Sequence, residues 1–393
     1  MKSLCARIAF ACLLFVPVAQ CQSTPAWVQN PVNGNPVSSP PTWPMPMGYT
    51  RFAYDPVLQK VLYIARQNLC LNWTNSLWAY ELPTNTFTMM TWSGSFPNPH
   101  NCAKVPGISP AEDTPTYLSD RHNQTVSYDT LRSRLVLYSG DCDQPDMYHW
   151  FSSEPAYPAT AAGDGWAVDC DPCAPGVRVE GGMTYTDPSS DLLIFYGGQQ
   201  VGTAKADTWQ YDGVTQTWTK ILTSCTGAGC VPCGTGCSNL GPRAGQTIVW
   251  DAVNQKVVMF GGYGKNFQVP LNDTWEYDPS THTWTNFSPA VKPPAVKYPA
   301  LVFDSKRDVI WLHDVLVGGS CSGGCDWTYT EATHTWSQQP ETGGPTPKGT
   351  NTQNTLLMDY DAHCDALVAT AFNGTEKATM WYLPLSGALT CSP

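Results

Sequence analysis

Cysteines, histidines and a run of aspartates set among aromatics are the side chains of this chain that could bond, ligate or catalyse. Thirteen of the sixteen cysteines follow Cys21. Cys225, Cys230, Cys233 and Cys237 stand close enough in sequence to enclose zinc or an iron–sulfur cluster, and Cys321-Ser-Gly-Gly-Cys325 is a second short pair. An exported chain meets an oxidising compartment, however, and there such Gly-rich spacings favour disulfides over metal. The disulfide candidates are therefore Cys70, Cys102, Cys142, Cys170, Cys173, Cys225, Cys230, Cys233, Cys237, Cys321, Cys325, Cys364 and Cys391. No metal or other cofactor is expected.

The acids are unevenly spread. Residues 101 to 200 hold fourteen acidic and five basic residues, a net of −9 out of the chain's −11. Asp141, Asp143, Asp146, Asp164, Asp169 and Asp171 are interleaved there with Tyr148, Trp150 and Trp166, and these nine are the binding candidates. Carboxylates beside aromatic faces suit calcium, a basic partner or a sugar. Asp141-x-Asp143-x-x-Asp146 lacks the later glycine and the terminal glutamate of a calcium loop, and a solvated acidic surface is the simpler account. The sign of the charge excludes nucleic acid. His100, His122, His149, His313 and His363 are scattered with no His-x-His or His-Glu-x-x-His spacing, and no nucleophile elbow occurs, so no catalytic residue is assigned.

The elements that must position these residues repeat. Asp207-Thr-Trp-Gln-Tyr-Asp-Gly-Val-Thr-Gln-Thr-Trp218 returns sixty-six residues later as Asp273-Thr-Trp-Glu-Tyr-Asp-Pro-Ser-Thr-His-Thr-Trp284, and again in weaker form from Asp326 to Trp336. His282 and His334 share one turn position in these copies and so belong to the repeat. Ahead of each copy, an alternating apolar segment ends in an aromatic and an acid: Tyr54-Asp55, Tyr128-Asp129, Tyr185-Thr-Asp187, Trp250-Asp251, Phe303-Asp304 and Tyr360-Asp361. Six anchors mean six units, each of four short strands, because the segments are β-branched and aromatic and turn formers divide them.

The double glycines Gly197-Gly198 and Gly261-Gly262, the Asp-x-Trp-x-Tyr-Asp that follows and the second Trp nine residues after the first are similar to the kelch repeat. Blades two and six lack the paired tryptophans. The resemblance implies an all-β, six-bladed β-propeller with four-stranded antiparallel blades at about 45–93, 117–168, 178–222, 242–288, 297–339 and 351–384. The sixth unit supplies only three strands. Thr24-Pro-Ala-Trp27 resembles Thr281-His-Thr-Trp284, so residues 25 to 30 are expected to close the last blade. Repeating tryptophans are read as packing between blades rather than as ligand platforms.

Residues 1–21, with Lys2 and Arg7 before an apolar run, read as a signal peptide too short to stay as a membrane span. Secretion is thus expected. Val18-Ala19-Gln20-Cys21 also resembles a lipoprotein box, with Gln20 where a small residue belongs, so a lipid anchor at Cys21 is the alternative to simple export. Eleven of the cysteines fall in connections that share one face, while Cys364 and Cys391 fall towards the other, where they can pair. The expected function is a non-catalytic binding module for a protein or a glycan. The alternative is a galactose-oxidase-like or other secreted propeller enzyme acting on carbohydrate, although that enzyme's copper ligand set cannot be assigned here.

Overall fold

The computed structural model describes residues 25–30, 45–46, 51–66, 75–92, 124–140, 146–156, 165–200, 202–226, 240–264, 269–287, 289–314, 325–340, 343–345, 356–371 and 379–391. Six antiparallel sheets form the blades. The first runs through Ala53–Asp55, Lys60–Arg66, Asn75–Glu81 and Thr86–Trp92, and the second through Thr125–Asp129, Arg134–Tyr138, Met147–Phe151 and Trp166–Cys170. Blade three is Gly182–Tyr185, Leu192–Tyr196, Thr208–Asp212 and Thr217–Ile221; blade four is Thr247–Asp251, Lys256–Phe260, Thr274–Asp278 and Thr283–Phe287. Blade five is Ala300–Asp304, Val309–Asp314, Cys325–Thr330 and Thr335–Gln338, and blade six Leu356–Asp361, Ala366–Ala371 and Met380–Pro384. Among the described residues no helix is long and apolar enough to cross a membrane.

The first strand of each blade touches the first strand of the next, and that of blade six touches blade one, so these strands form a closed inner ring. The ring is completed by the chain's other end. Val28–Gln29 pairs antiparallel with Met380–Pro384, Val28 opposite Tyr382 and Gln29 opposite Trp381, as the fourth strand of the last blade. No sheet edge is then left between the two ends of the array.

Each repeat element has a physical task. The anchor aspartates make the tight turn after the first strand: Asp55 accepts the backbone N–H groups of Val57 and Leu58, Asp251 those of Val253 and Asn254, and Asp304 those of Lys306 and Arg307. Asp212 and Asp278 do the same between the third and fourth strands. The outer tryptophans join blades: Trp284 Nε1 donates to Thr208 Oγ1 of blade three at 3.0 Å, and Trp336 Nε1 to Thr274 Oγ1 of blade four at 2.8 Å. Trp166 Nε1 reaches Thr91 Oγ1 of blade one, so blade two does carry the outer tryptophan that its sequence spacing conceals. Trp27 Nε1 reaches Asp326 of blade five at 2.8 Å, in the same relation. Gly197 and Gly262 are required by close approach, since a Cβ there would meet the carbonyls of Arg243 and Ala244 at 2.6 and 2.7 Å.

Inner-strand side chains also stitch neighbours together. Ser127 Oγ accepts Tyr185 N–H between blades two and three, and at the same place two residues before the anchor, Asp359 accepts Tyr54 N–H at 2.7 Å between blades six and one. A serine suffices for the link, so the charge at Asp359 is additional. Burial inside the channel, with the Asp361 charge nearby, pushes its carboxyl up to about 7, although the Tyr360 and Tyr54 N–H groups pull the other way.

Two outcomes follow. Trp27→Ala should cost about 3–5 kcal/mol, the range for emptying a buried aromatic site, and Trp27→Phe about 1–2 kcal/mol for the hydrogen bond alone; thermal and urea unfolding of the two variants against the parent check this order. A folded-state carboxyl raised above its unfolded value favours the fold fully below about pH 4 and loses that contribution as pH rises through about 7. Asp359→Ser should therefore flatten the decline in melting temperature between pH 5.5 and 8.5, whereas an unchanged slope would remove Asp359 as its source.

Candidate functional site

Turn lengths distinguish the two ends of the blades. Connections between first and second strands, and between third and fourth, are four residues long except for 186–191 and 152–165. Every connection at the other end spans eight residues or more, up to the thirty-two between Trp92 and Thr125. Loops of that length on a rigid ring are where recognition surfaces are built.

The channel enclosed by the inner strands has a cavity of about 430 Å³ lined by residues of all six blades. Its charged lining residues are Arg51, Asp187 and Asp359. Arg51 stands just before the inner strand of blade one and donates from Nη2 to the Gln246 carbonyl, at the start of blade four directly across the ring, at 2.6 Å. The guanidinium is thus a bar across the channel at the long-loop end. Burial lowers it to about 10, still cationic at neutral pH.

At this end blades three, four and five share a repeated left-handed residue, Glu180, Gly245 and Tyr298, with φ of 59°, 64° and 56°. Gly245 N–H donates to the Glu180 carbonyl and Tyr298 N–H to the Gly245 carbonyl, both at 2.8 Å, so the backbone hands each blade to the next. Gly245 has to be small, because a Cβ would come within 2.8 Å of the Tyr263 and Tyr298 rings. Around this scaffold, Tyr263 OH donates to the Glu180 carboxylate, Gln199 Nε2 donates to the same carboxylate at 3.1 Å, the two tyrosine rings meet edge to face at 5.8 Å, and Lys297 Nζ lies 5.5 Å from the centre of the Tyr263 ring. A carboxylate, two phenols, an amide and an ammonium therefore gather at the channel mouth. Sequence reading missed them, because Glu180, Tyr263 and Tyr298 come from three blades; the non-glycine residues at the repeated left-handed position are the signal that marks the place.

The predicted acidic and aromatic cluster is largely internal. Tyr148, Trp150 and Trp166 pack at the blade one–blade two seam, with Trp150 wholly buried. Asp146 is also buried. Asp169 is held by His149 Nδ1 at 2.9 Å and Arg134 at 3.3 Å. These side chains hold blades together, and of the nine only Asp171 is exposed among the described residues. Asp141, Asp143 and Asp164 lie outside them.

Cys364 and Cys391 form a disulfide that fastens the C-terminal segment to the first turn of blade six, and Cys170 is bonded to Cys173. Cys70, Cys102, Cys142, Cys230, Cys233, Cys237 and Cys321 lie outside the described residues, as do the leader 1–21 and Cys21. Cys325 opens the third strand of blade five. Cys225 departs from the loop assignment: Ser224–Thr226 adds a fifth, parallel strand at the outer edge of blade four, its backbone starting beside His282. An exposed edge with free N–H and C=O groups captures that segment. Asn286, one of five Asn-x-Ser/Thr sites, is buried with Nδ2 donating to the Thr274 carbonyl.

A family model for the kelch motif matches residues 251–290, the last three strands of blade four with their turns. No curated protein matches the chain. With that motif in one blade and the same strand order, anchor turns and cross-blade tryptophans in its neighbours, the chain is a six-bladed kelch-repeat β-propeller.

Proposed function

We propose that this protein is an exported recognition module that binds a glycan or protein on the long-loop end of the propeller, with Glu180, Tyr263, Lys297 and Tyr298 at the centre of the contact. The observation that carries this reading is the coincidence of two features at one end: nearly all the long connections and the polar, aromatic cluster over the channel mouth. Phenol faces beside a carboxylate and an ammonium suit a hydroxyl-bearing ligand such as a glycan, because they supply apolar stacking area together with both hydrogen-bond roles. The Arg51 bar separates this surface from the channel below, which suits a ligand that lies across the mouth rather than one that enters the channel. The connections 67–74, 93–124, 227–239 and 315–324, which carry six cysteines, run between strand ends at the same end. Secretion, which the leader supports, would oxidise them into disulfides that limit the freedom of long loops.

Two substitutions test the surface. Lys297→Glu reverses a charge at a half-buried position, and Tyr298→Asn keeps a residue that accepts left-handed backbone. Binding to a glycan array and to a panel of extracellular proteins should fall at least tenfold in each variant, the scale of a contact worth 1.4 kcal/mol or more, while melting temperature changes little. Binding of a ligand with undiminished affinity by both variants would overturn the reading. So would copper-dependent peroxide release on sugars by the intact chain.

A further inference from the structure

We propose that Glu276, Glu331 and His334 form a divalent transition-metal site, of the zinc or manganese type, at the outer seam between blades four and five. Their ligand atoms lie within 4.8 Å of one another. Glu276 comes from the third strand of blade four, while Glu331 and His334 come from the short turn, Glu331–Thr333 and the residue after it, that opens the last strand of blade five. His334 Nδ1 is 2.9 Å from Glu276 Oε1. That separation is on the scale of ligand-to-ligand edges around an ion with bonds of about 2.0–2.2 Å.

The second observation is the state of Glu331. The residue is nine-tenths buried, and its carboxyl lies beside that of Glu276. Two carboxylates placed together out of water need a proton or a cation between them. The imidazole is the third ligand and is already oriented: it stacks on Phe287 at 3.6 Å and 9° and keeps an edge towards solvent. Two carboxylates and one imidazole are a borderline donor set that suits zinc or manganese better than calcium.

The neighbouring seam supplies an internal control. At the blade three–blade four boundary the equivalent positions hold Gln210, Pro279 and His282. Gln210 Nε2 reaches Tyr277 OH at 3.3 Å, as Glu276 accepts Tyr329 OH at 2.6 Å, so a neutral amide is enough to hold the tyrosine of the next blade. The carboxylates at the blade four–blade five seam are therefore not needed by the repeat. The inference is independent of the ligand proposed for the long-loop end.

The test uses the full exported chain after dialysis against a chelator. Equilibrium dialysis with elemental analysis and thermal unfolding with added Zn²⁺, Mn²⁺ or Ca²⁺ should show one transition ion per chain and a melting temperature that rises with its concentration. Glu276→Gln, which copies Gln210, and His334→Asn, which accepts the same backbone, should each weaken binding at least tenfold. His282→Asn should leave it unchanged. The proposal fails if the chain takes up neither Zn²⁺ nor Mn²⁺, or if Glu276→Gln and His334→Asn bind as the parent does. If both variants prove unfolded, Glu331→Gln decides by the same two readouts.

Discussion

The structure depends on one interaction made repeatedly, the indole of an outer strand reaching back to a threonine or aspartate of the preceding blade. Trp166, Trp284, Trp336 and Trp27 all make it. Each ring buries a large apolar area between two sheets, and its single N–H is satisfied by a threonine or an aspartate at the far side. A blade of four short strands has too little core to stand alone, so this seam contact, rather than any feature within a blade, is what makes the array cooperative. The anchor aspartates are subordinate to it. They keep the hairpins tight, so that the strands arrive at the seam in register.

Closure follows from the same geometry. Inner strands that must touch on both sides leave no freedom in blade number once the last blade is short of a strand, and Trp27 fits the vacancy because its partner Asp326 is offered by blade five. Ion pairs at the hairpin end reinforce the ring, Arg132 to Asp191 and Arg307 to Asp365, with the arginines holding both carboxyls well below the usual range. The other end is left for sequence that the ring does not constrain. That division of labour accounts for loops of very unequal length on one scaffold.

Much of the fold was legible because the repeat carries it. The six anchor pairs mark the six blades of the ring, and the likeness of Trp27 to Trp284 located the closing strand. Trp166 was harder, since the connection 152–165 stretches the spacing between third and fourth strands in blade two. Tyr148 and Trp150 read as binding candidates because acids surround them in sequence, and strand alternation turns them inward. His334 looked equivalent to His282, and within its own blade it is; what differs is the residue facing it across the seam, Glu276 in place of Gln210. Contacts between blades have no signature in a one-dimensional repeat, and both the channel-mouth cluster and the carboxylate–imidazole group are contacts of that kind.

The pairing of Val28–Gln29 with Met380–Pro384 also bears on the order of events during synthesis. The segment that completes the last sheet is made early in synthesis, and its anchor on Asp326 lies 299 residues further along the chain. Until the C-terminal part has been made, a nascent chain holds a tryptophan with nowhere to dock, and five sheets have no wall to lean on. Closing the ring therefore joins the two ends of the array, at the entropic cost of bringing distant segments together.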